Sequence, residues 1–173
     1  MTTGPYTLHH LLHSADLVED ALRQRLARID LRPRQARIID ALARMEPASQ
    51  VTLARAFDIT PASMSTMTTR LIEAGFVTRE VDPEEARSNL LRLTPRGRGL
   101  LSEIHLAWRD IDRMIAKRIG AEEANTLSRL TRALRDGLGG RVPGAGAADP
   151  APAERPVDET DDENPSIERS VER

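Results

Sequence analysis

A chain of 173 residues, 39% hydrophobic and 30% charged, has room for one domain or for a small domain with extensions, and excludes two enzymes in tandem. No apolar run approaches the ~18 residues that a bilayer span needs, the N-terminus does not read as an export signal, and the lack of cysteine rules out disulfides, thiolate metal clusters and thiol-oxidation switches, so a cytoplasmic protein without membrane contact is expected. The net charge of −2 conceals a split: residues 141–173 carry four arginines against nine carboxylates, leaving 21 basic and 18 acidic side chains in residues 1–140.

Residues 7–30 place Leu8, Leu11, Leu12, Ala15, Val18, Leu22, Leu26 and Ile29 at steps of three and four, one apolar stripe on a long helix. Leu31-Arg32-Pro33 breaks it. Pro33 then stands near the start of a second helix, where its missing N–H is harmless, and Ala36, Ile39, Leu42 and Ala43 repeat the pattern as far as Glu46-Pro47. A shorter helix is expected over residues 50–57, on Val51, Leu53, Ala54 and Phe57. After Asp58-Ile59, Thr60 is a good N-cap and Pro61 a good first helical residue. The helix they open puts Met64, Met67, Thr68, Leu71 and Ile72 on one side, with Ala62, Ser63, Ser65, Thr66, Thr69 and Arg70 on its other faces, and Gly75 ends it.

Residues 76–81 and 89–93 are the strand-like part of the chain, a hairpin with a charged tip over residues 82–87. Thr94-Pro95 repeats the cap-then-proline signal and starts a long helix on Leu101, Ile104, Trp108, Ile111, Ile115 and Ile119, whose first turn Gly97 and Gly99 should weaken. Gly120 interrupts it, and residues 122–137 form a last helix around Leu127, Leu130 and Leu134. The segment 140–173 is dense in Pro, Ala and acid, with almost no large apolar residue; it cannot bury enough surface to offset its ordering entropy and is expected to be a disordered tail.

Three helices between residues 33 and 74, followed by a two-stranded hairpin, are the order of a winged helix-turn-helix. The third has the composition a groove reader needs: small residues let its backbone approach, Ser and Thr hydroxyls donate or accept at base edges and phosphates, and Arg70 can reach a phosphate or a guanine. The expected fold class is mainly α with a small antiparallel β-hairpin wing, a winged helix-turn-helix joined to a helical dimerisation domain. An enzyme is not expected, since there is no Gly-rich phosphate loop after a strand, no cysteine nucleophile, and no evident base beside Ser63 or Ser65. With Tyr6, Phe57, Phe76 and Trp108 its only aromatics, the chain also lacks the stacking platform of a single-strand binder. His9 and His13 stand at i, i+4, yet two histidines do not complete a tetrahedral site, so neither metal nor cofactor is expected.

Two stretches make the reading specific. TPASMSTMTTRLIEAGFVTRE holds the cap, the third helix and a Gly-apolar-Val-x-Arg exit, and DPEEARSNLLRLTPRG holds the hairpin tip and a Leu-Thr-Pro-x-Gly helix start. Both are similar to the MarR family of bacterial transcription regulators, and with the long flanking helices the resemblance spans residues 7–138. It implies dimerisation helices over residues 7–30 and 98–139, around a DNA-binding domain over residues 31–97. Ala62, Ser63, Ser65, Thr66, Thr69 and Arg70 are then the major-groove candidates, and Gln50, Thr52 and Arg55 the phosphate contacts. Arg87 matches the wing arginine that enters the minor groove, although Glu85-Ala86-Arg87 stands where the family usually has Asp-Arg-Arg or Asp-Lys-Arg.

More apolar surface lies on the flanking helices than a winged domain can cover alone, so a homodimer is expected. Two-fold symmetry would present two recognition helices about 34 Å apart, to an inverted repeat in double-stranded DNA. Repression is the expected direction, because occluding a promoter requires only tight binding. The resemblance further implies a pocket for an anionic or aromatic effector between dimerisation helices and winged domain, faced by His13, Arg37, His105 and Trp108, with Trp108 mainly a core residue. The competing reading is a winged-helix protein-interaction module that works through its acidic tail without specific DNA binding.

Overall fold

The structure, a computed structural model, describes residues 6–82, 89–140 and 142–143. In chain order it runs α1 (Thr7–Leu26), a 3-10 turn (Ala27–Ile29), α2 (Pro33–Met45), β1 (Ala48–Ser49), α3 (Gln50–Ala56), α4 (Pro61–Glu73), β2 (Val77–Val81), β3 (Asn89–Leu93), α5 (Pro95–Gly99), α6 (Leu101–Ile119) and α7 (Ala121–Gly137). Hydroxyl caps start three of the helices: Ser49 Oγ accepts the N–H of Thr52 at 3.1 Å, Thr60 Oγ1 that of Ser63 at 3.2 Å, and Thr94 Oγ1 that of Gly97 at 3.0 Å. Each satisfies a backbone donor that has no partner inside its helix. The expected class holds, mainly helical with a small antiparallel sheet.

The sheet has three strands in the order β1-β3-β2, all antiparallel. The hairpin pairs Val77 with Leu93 and Val81 with Asn89, while Ala48 pairs with Leu91 on the other edge of β3. β1 is absent from the sequence expectations because two residues carry no alternation; only the partner strand makes them a strand. Phe76, expected in the hairpin, lies in the turn before β2.

One core joins all of these elements except α5 and α7. Ile38, Ile39 and Leu42 of α2, Leu53 of α3, Met64 and Leu71 of α4, Leu91 of β3, Ile104 of α6 and Leu26 of α1 are sealed from solvent. Each contributes about 1.5–3 kcal/mol by burial. α4 therefore projects from the core with one face fixed and the other free.

The long helix expected after Thr94 is in fact two, α5 and α6, parting at Leu100. Gly97 is not simply a weak helix former there. A Cβ at Gly97 would lie 2.1 Å from the carbonyl oxygen of Phe76, so only glycine lets α5 seat against the turn that leaves α4. The seat is tied by hydrogen bonds: the Thr94 N–H donates to the Phe76 carbonyl at 3.0 Å, and its hydroxyl donates to the Gly75 carbonyl at 2.8 Å. Gly75, at φ +73°, takes the left-handed conformation that turns the chain. The Leu-Thr-Pro-x-Gly motif is thus a joint between the exit of α4 and the start of α5.

The flanks differ from this head. α7 has no buried residue, and α1 buries only Leu26. No helix among the described residues is long and apolar enough to cross a membrane.

Candidate nucleic-acid interface

α4 divides its residues cleanly between two faces. Met64, Thr68 and Leu71 point into the core, while Ala62, Ser63, Thr66, Thr69 and Arg70 are exposed and Ser65 is half-buried. Ala62, Ser65, Thr66, Thr69 and Arg70 line one shallow concavity together with Glu73. Ser63 stands at the cap instead, its Oγ accepting from the Thr60 hydroxyl at 3.0 Å. The Thr66 hydroxyl donates to the Ala62 carbonyl at 3.2 Å, which leaves its oxygen as an outward acceptor. Glu73 went unremarked in the sequence, although its spacing of three from Arg70 and four from Thr69 puts it on their face.

The preceding helix is clasped to α4 by a side-chain hydrogen bond. Gln50 Nε2 donates to Thr68 Oγ1 at 2.8 Å, and Thr68 in turn reaches the Met64 and Ser65 carbonyls at 3.0 and 3.1 Å. Thr68 is fully buried, so an unpartnered hydroxyl there would be costly. Gln50, expected at a phosphate, has its side-chain amide engaged in positioning α4. Thr52 is exposed with its hydroxyl 2.9 Å from Ser49 Oγ, and Arg55 is exposed and without an ion pair among the described residues. Both lie on α3, the helix packed beside α4.

The wing strands carry a cross-strand pair, Arg92 Nε to Glu80 Oε2 at 3.2 Å, and an exposed Arg79. Arg87 lies outside the described residues, as does most of the segment 140–173. At the base of the wing, Glu46 bridges two elements: its Oε2 accepts the N–H of Leu93 at 2.7 Å, and its Oε1 pairs with Arg98. This fixes the end of α2 to β3 and α5, a role that no spacing in the sequence signals.

None of the four effector-pocket candidates lines the concavity on α4 or the one between α1 and α6. His13 is exposed on the first half of α1, and the Arg37 guanidinium lies 5.7 Å from the centre of the Phe57 ring. His105 and Trp108 are together, their rings 5.5 Å apart, and His105 Nε2 is 2.8 Å from Asp40 Oδ1. The concavity between α1 and α6 is lined instead by Arg25, Asp110, Arg113, Met114, Lys117 and Arg118. Among the described residues no three His, Cys, Asp or Glu are placed to hold a metal ion.

Comparison with known proteins agrees with this architecture. Residues 29–88 match the MarR family. The multiple antibiotic resistance protein MarR of Escherichia coli K12 is 24% identical over 127 residues, covering 72% of this chain and 88% of that protein. Among solved structures, a cysteine-to-serine mutant of E. coli MarR complexed with operator DNA superposes with a TM-score of 0.66 at 22% identity, over 73% of this chain and 92% of that one. The transcriptional repressor CouR bound to a 23-mer DNA duplex superposes with a TM-score of 0.70 at 19% identity, over 75% of this chain and 92% of that one. None of these descriptions is of an enzyme.

Proposed function

Since residues 29–88 match the MarR family, we propose that this chain is a member of it, a dimeric transcriptional regulator that reads an inverted repeat in double-stranded DNA and represses by occlusion. The observation that carries this reading is the outward face of α4. Small and hydroxyl-bearing side chains at Ala62, Ser65, Thr66 and Thr69, with Arg70 at their edge, stand on a helix whose other face is locked in the core. That is the combination a major groove requires: close backbone approach, donors and acceptors in both senses, and no freedom to tilt. Arg55 and Thr52 serve the flanking phosphates, Ser63 the helix start, Gln50 the orientation of α4, and Arg87 the minor groove.

The dimer follows from the flanks. Leu127, Leu130 and Leu134 of α7 are between 42% and 54% exposed, and Leu8, Leu11, Leu12 and Leu17 of α1 between 41% and 58%. Apolar stripes of this length in a cytoplasmic protein call for a partner, and a second copy supplies a matching one. Residues 7–30 and 98–139 are assigned to that interface. A small anionic or aromatic effector acts on the junction between the dimer and the reading head, where His105 and Trp108 meet α2.

The test is fluorescence anisotropy on duplex from upstream of the coding region and on a scrambled control, over a salt series, with Arg70→Ala and Arg87→Ala beside the parent. The expected result is a preference for the upstream duplex, an affinity that falls steeply with salt, and a loss of about 1–3 kcal/mol in either variant. Equal and negligible binding to both duplexes would reject the reading in favour of a protein-interaction module acting through the acidic tail.

A further inference from the structure

We propose that Asp40 is a positioning residue: its carboxylate latches the reading head to the dimerisation helices, and so sets the spacing at which two recognition helices meet DNA, a role that rests on the DNA-binding reading above. Asp40 stands on α2 and is 5% exposed; Thr68 is the only other buried polar side chain among the described residues. Its two oxygens serve different partners. Oδ1 lies 2.8 Å from His105 Nε2 on α6, and Oδ2 pairs with Arg44 one turn further along α2. Arg44 also donates to the carbonyl of Pro143 at 2.9 Å, so the chain leaving α7 joins the same cluster. One carboxylate thereby gathers the reading head's α2, the long helix α6 and the segment beyond α7.

The choice of residue type is informative. Taking a carboxylate out of water costs several kcal/mol, and an apolar side chain of similar size usually holds a core as well or better. What an apolar contact lacks is direction. Burial energy follows area and tolerates sliding, whereas a hydrogen bond weakens steeply once its angle departs from the line of donor and acceptor. Around this pair the core is apolar, with Ile38, Ile39 and Leu42 of α2 and Ile104 and Ala107 of α6 buried in one cluster. Asp40 and His105 add the directional element, and the Trp108 ring lies against that of His105, their centroids 5.5 Å apart. Any rotation of α2 against α6 breaks the latch, and in a dimer each such rotation is doubled at the recognition helices.

The experiment begins by selecting duplexes from a random-sequence library with the full-length chain. Affinity is then measured on a series in which the selected half-sites are moved closer or apart by one and two base pairs, for the parent, His105→Ala, His105→Gln and Asp40→Asn. His105 is 44% exposed in its side chain, so its removal leaves the fold standing, and thermal unfolding checks that for every variant. The parent should show a sharp optimum. His105→Ala and Asp40→Asn should lose about fivefold at that optimum and less than about twofold one base pair away, a flattened profile with coupling of ordinary allosteric size. His105→Gln, which keeps an N–H donor near the same place, should restore the sharp optimum. An unchanged optimum in His105→Ala, or an equal loss at every spacing, would overturn the latch while leaving DNA binding intact. A parent that selects no duplex would overturn the DNA-binding reading itself, and the latch with it.

Discussion

α4 and α7 are both amphipathic helices with a regular apolar stripe, and they end differently. α4 buries Met64, Thr68 and Leu71 within its own chain; α7, four residues longer, buries none. A stripe therefore locates an apolar face without saying what covers it. For α4 the cover is α3 and the sheet, and the helix becomes a fixed stem for a polar outward face. For α7 the same chain supplies α6 on one side only, and Leu127, Leu130 and Leu134 remain open. The head covers its apolar face within the chain, and the flank leaves its leucines open.

The largest effect that would break this contrast comes from charging the open stripe. Leu130→Glu with Leu134→Glu should leave the helical content of the head unchanged by circular dichroism, yet convert a dimer to monomers in sedimentation equilibrium. Losing the second reading head removes its effective concentration, so operator affinity should drop about 10²–10⁴-fold. A variant that stays dimeric would show that α7 is simply solvated, and would move the interface elsewhere.

On the head the contrast sharpens in the opposite sense. Leu71→Ala removes a side chain that is fully sealed, and should cost about 2–5 kcal/mol in denaturant unfolding. Leu130→Ala, on a half-exposed site, should change the unfolding of dilute monomer by less than about 0.5 kcal/mol. Comparable costs at both positions would mean that α7 is covered by its own chain after all.

Next in size is a pair of neighbouring glycines on α5. Gly97→Ala forces a methyl against the Phe76 carbonyl and should destabilise by about 1–3 kcal/mol. Gly99 has nothing within 4 Å of an added Cβ, so Gly99→Ala should stabilise by about 0.4–1 kcal/mol through the unfolded chain. Opposite signs in one thermal series would confirm that the first is a joint and the second only a helix residue.

The same glycines mark the limit of what could be read from the residues alone. Helix order, the wing hairpin and the division of α4 into two faces follow from periodicity and caps, because spacing of three and four, Thr-Pro starts and a terminal glycine act locally. β1 does not follow, since its two residues are ordered by β3. The reason for Gly97 does not follow either, because Phe76 reaches it through the fold. At the candidate site, Thr66, Thr69 and Arg70 are legible as outward positions, whereas the engagement of Gln50 with Thr68 across 18 residues is not. Nor is the role of Asp40 legible, its partner His105 being 65 residues away on another helix.

The smallest expected effect tests whether the outward face of α4 behaves as a face turned toward phosphates. Glu73 is exposed beside Thr69 and Arg70 in the same concavity, so it places a negative charge near the backbone of any duplex held there. Repulsion between unit charges at close range in water is of order 1 kcal/mol, so Glu73→Gln should tighten duplex binding by about fivefold at low salt. Screening should erase most of that gain at about 0.5 M salt, where charges beyond a few ångströms no longer interact. The gain should be equal on upstream and scrambled duplex, because a phosphate contact carries no sequence information. A variant that gains on neither duplex would place Glu73 away from the bound DNA and tilt α4 toward its N-terminal half, where Ala62, Ser65 and Thr66 would then do the reading.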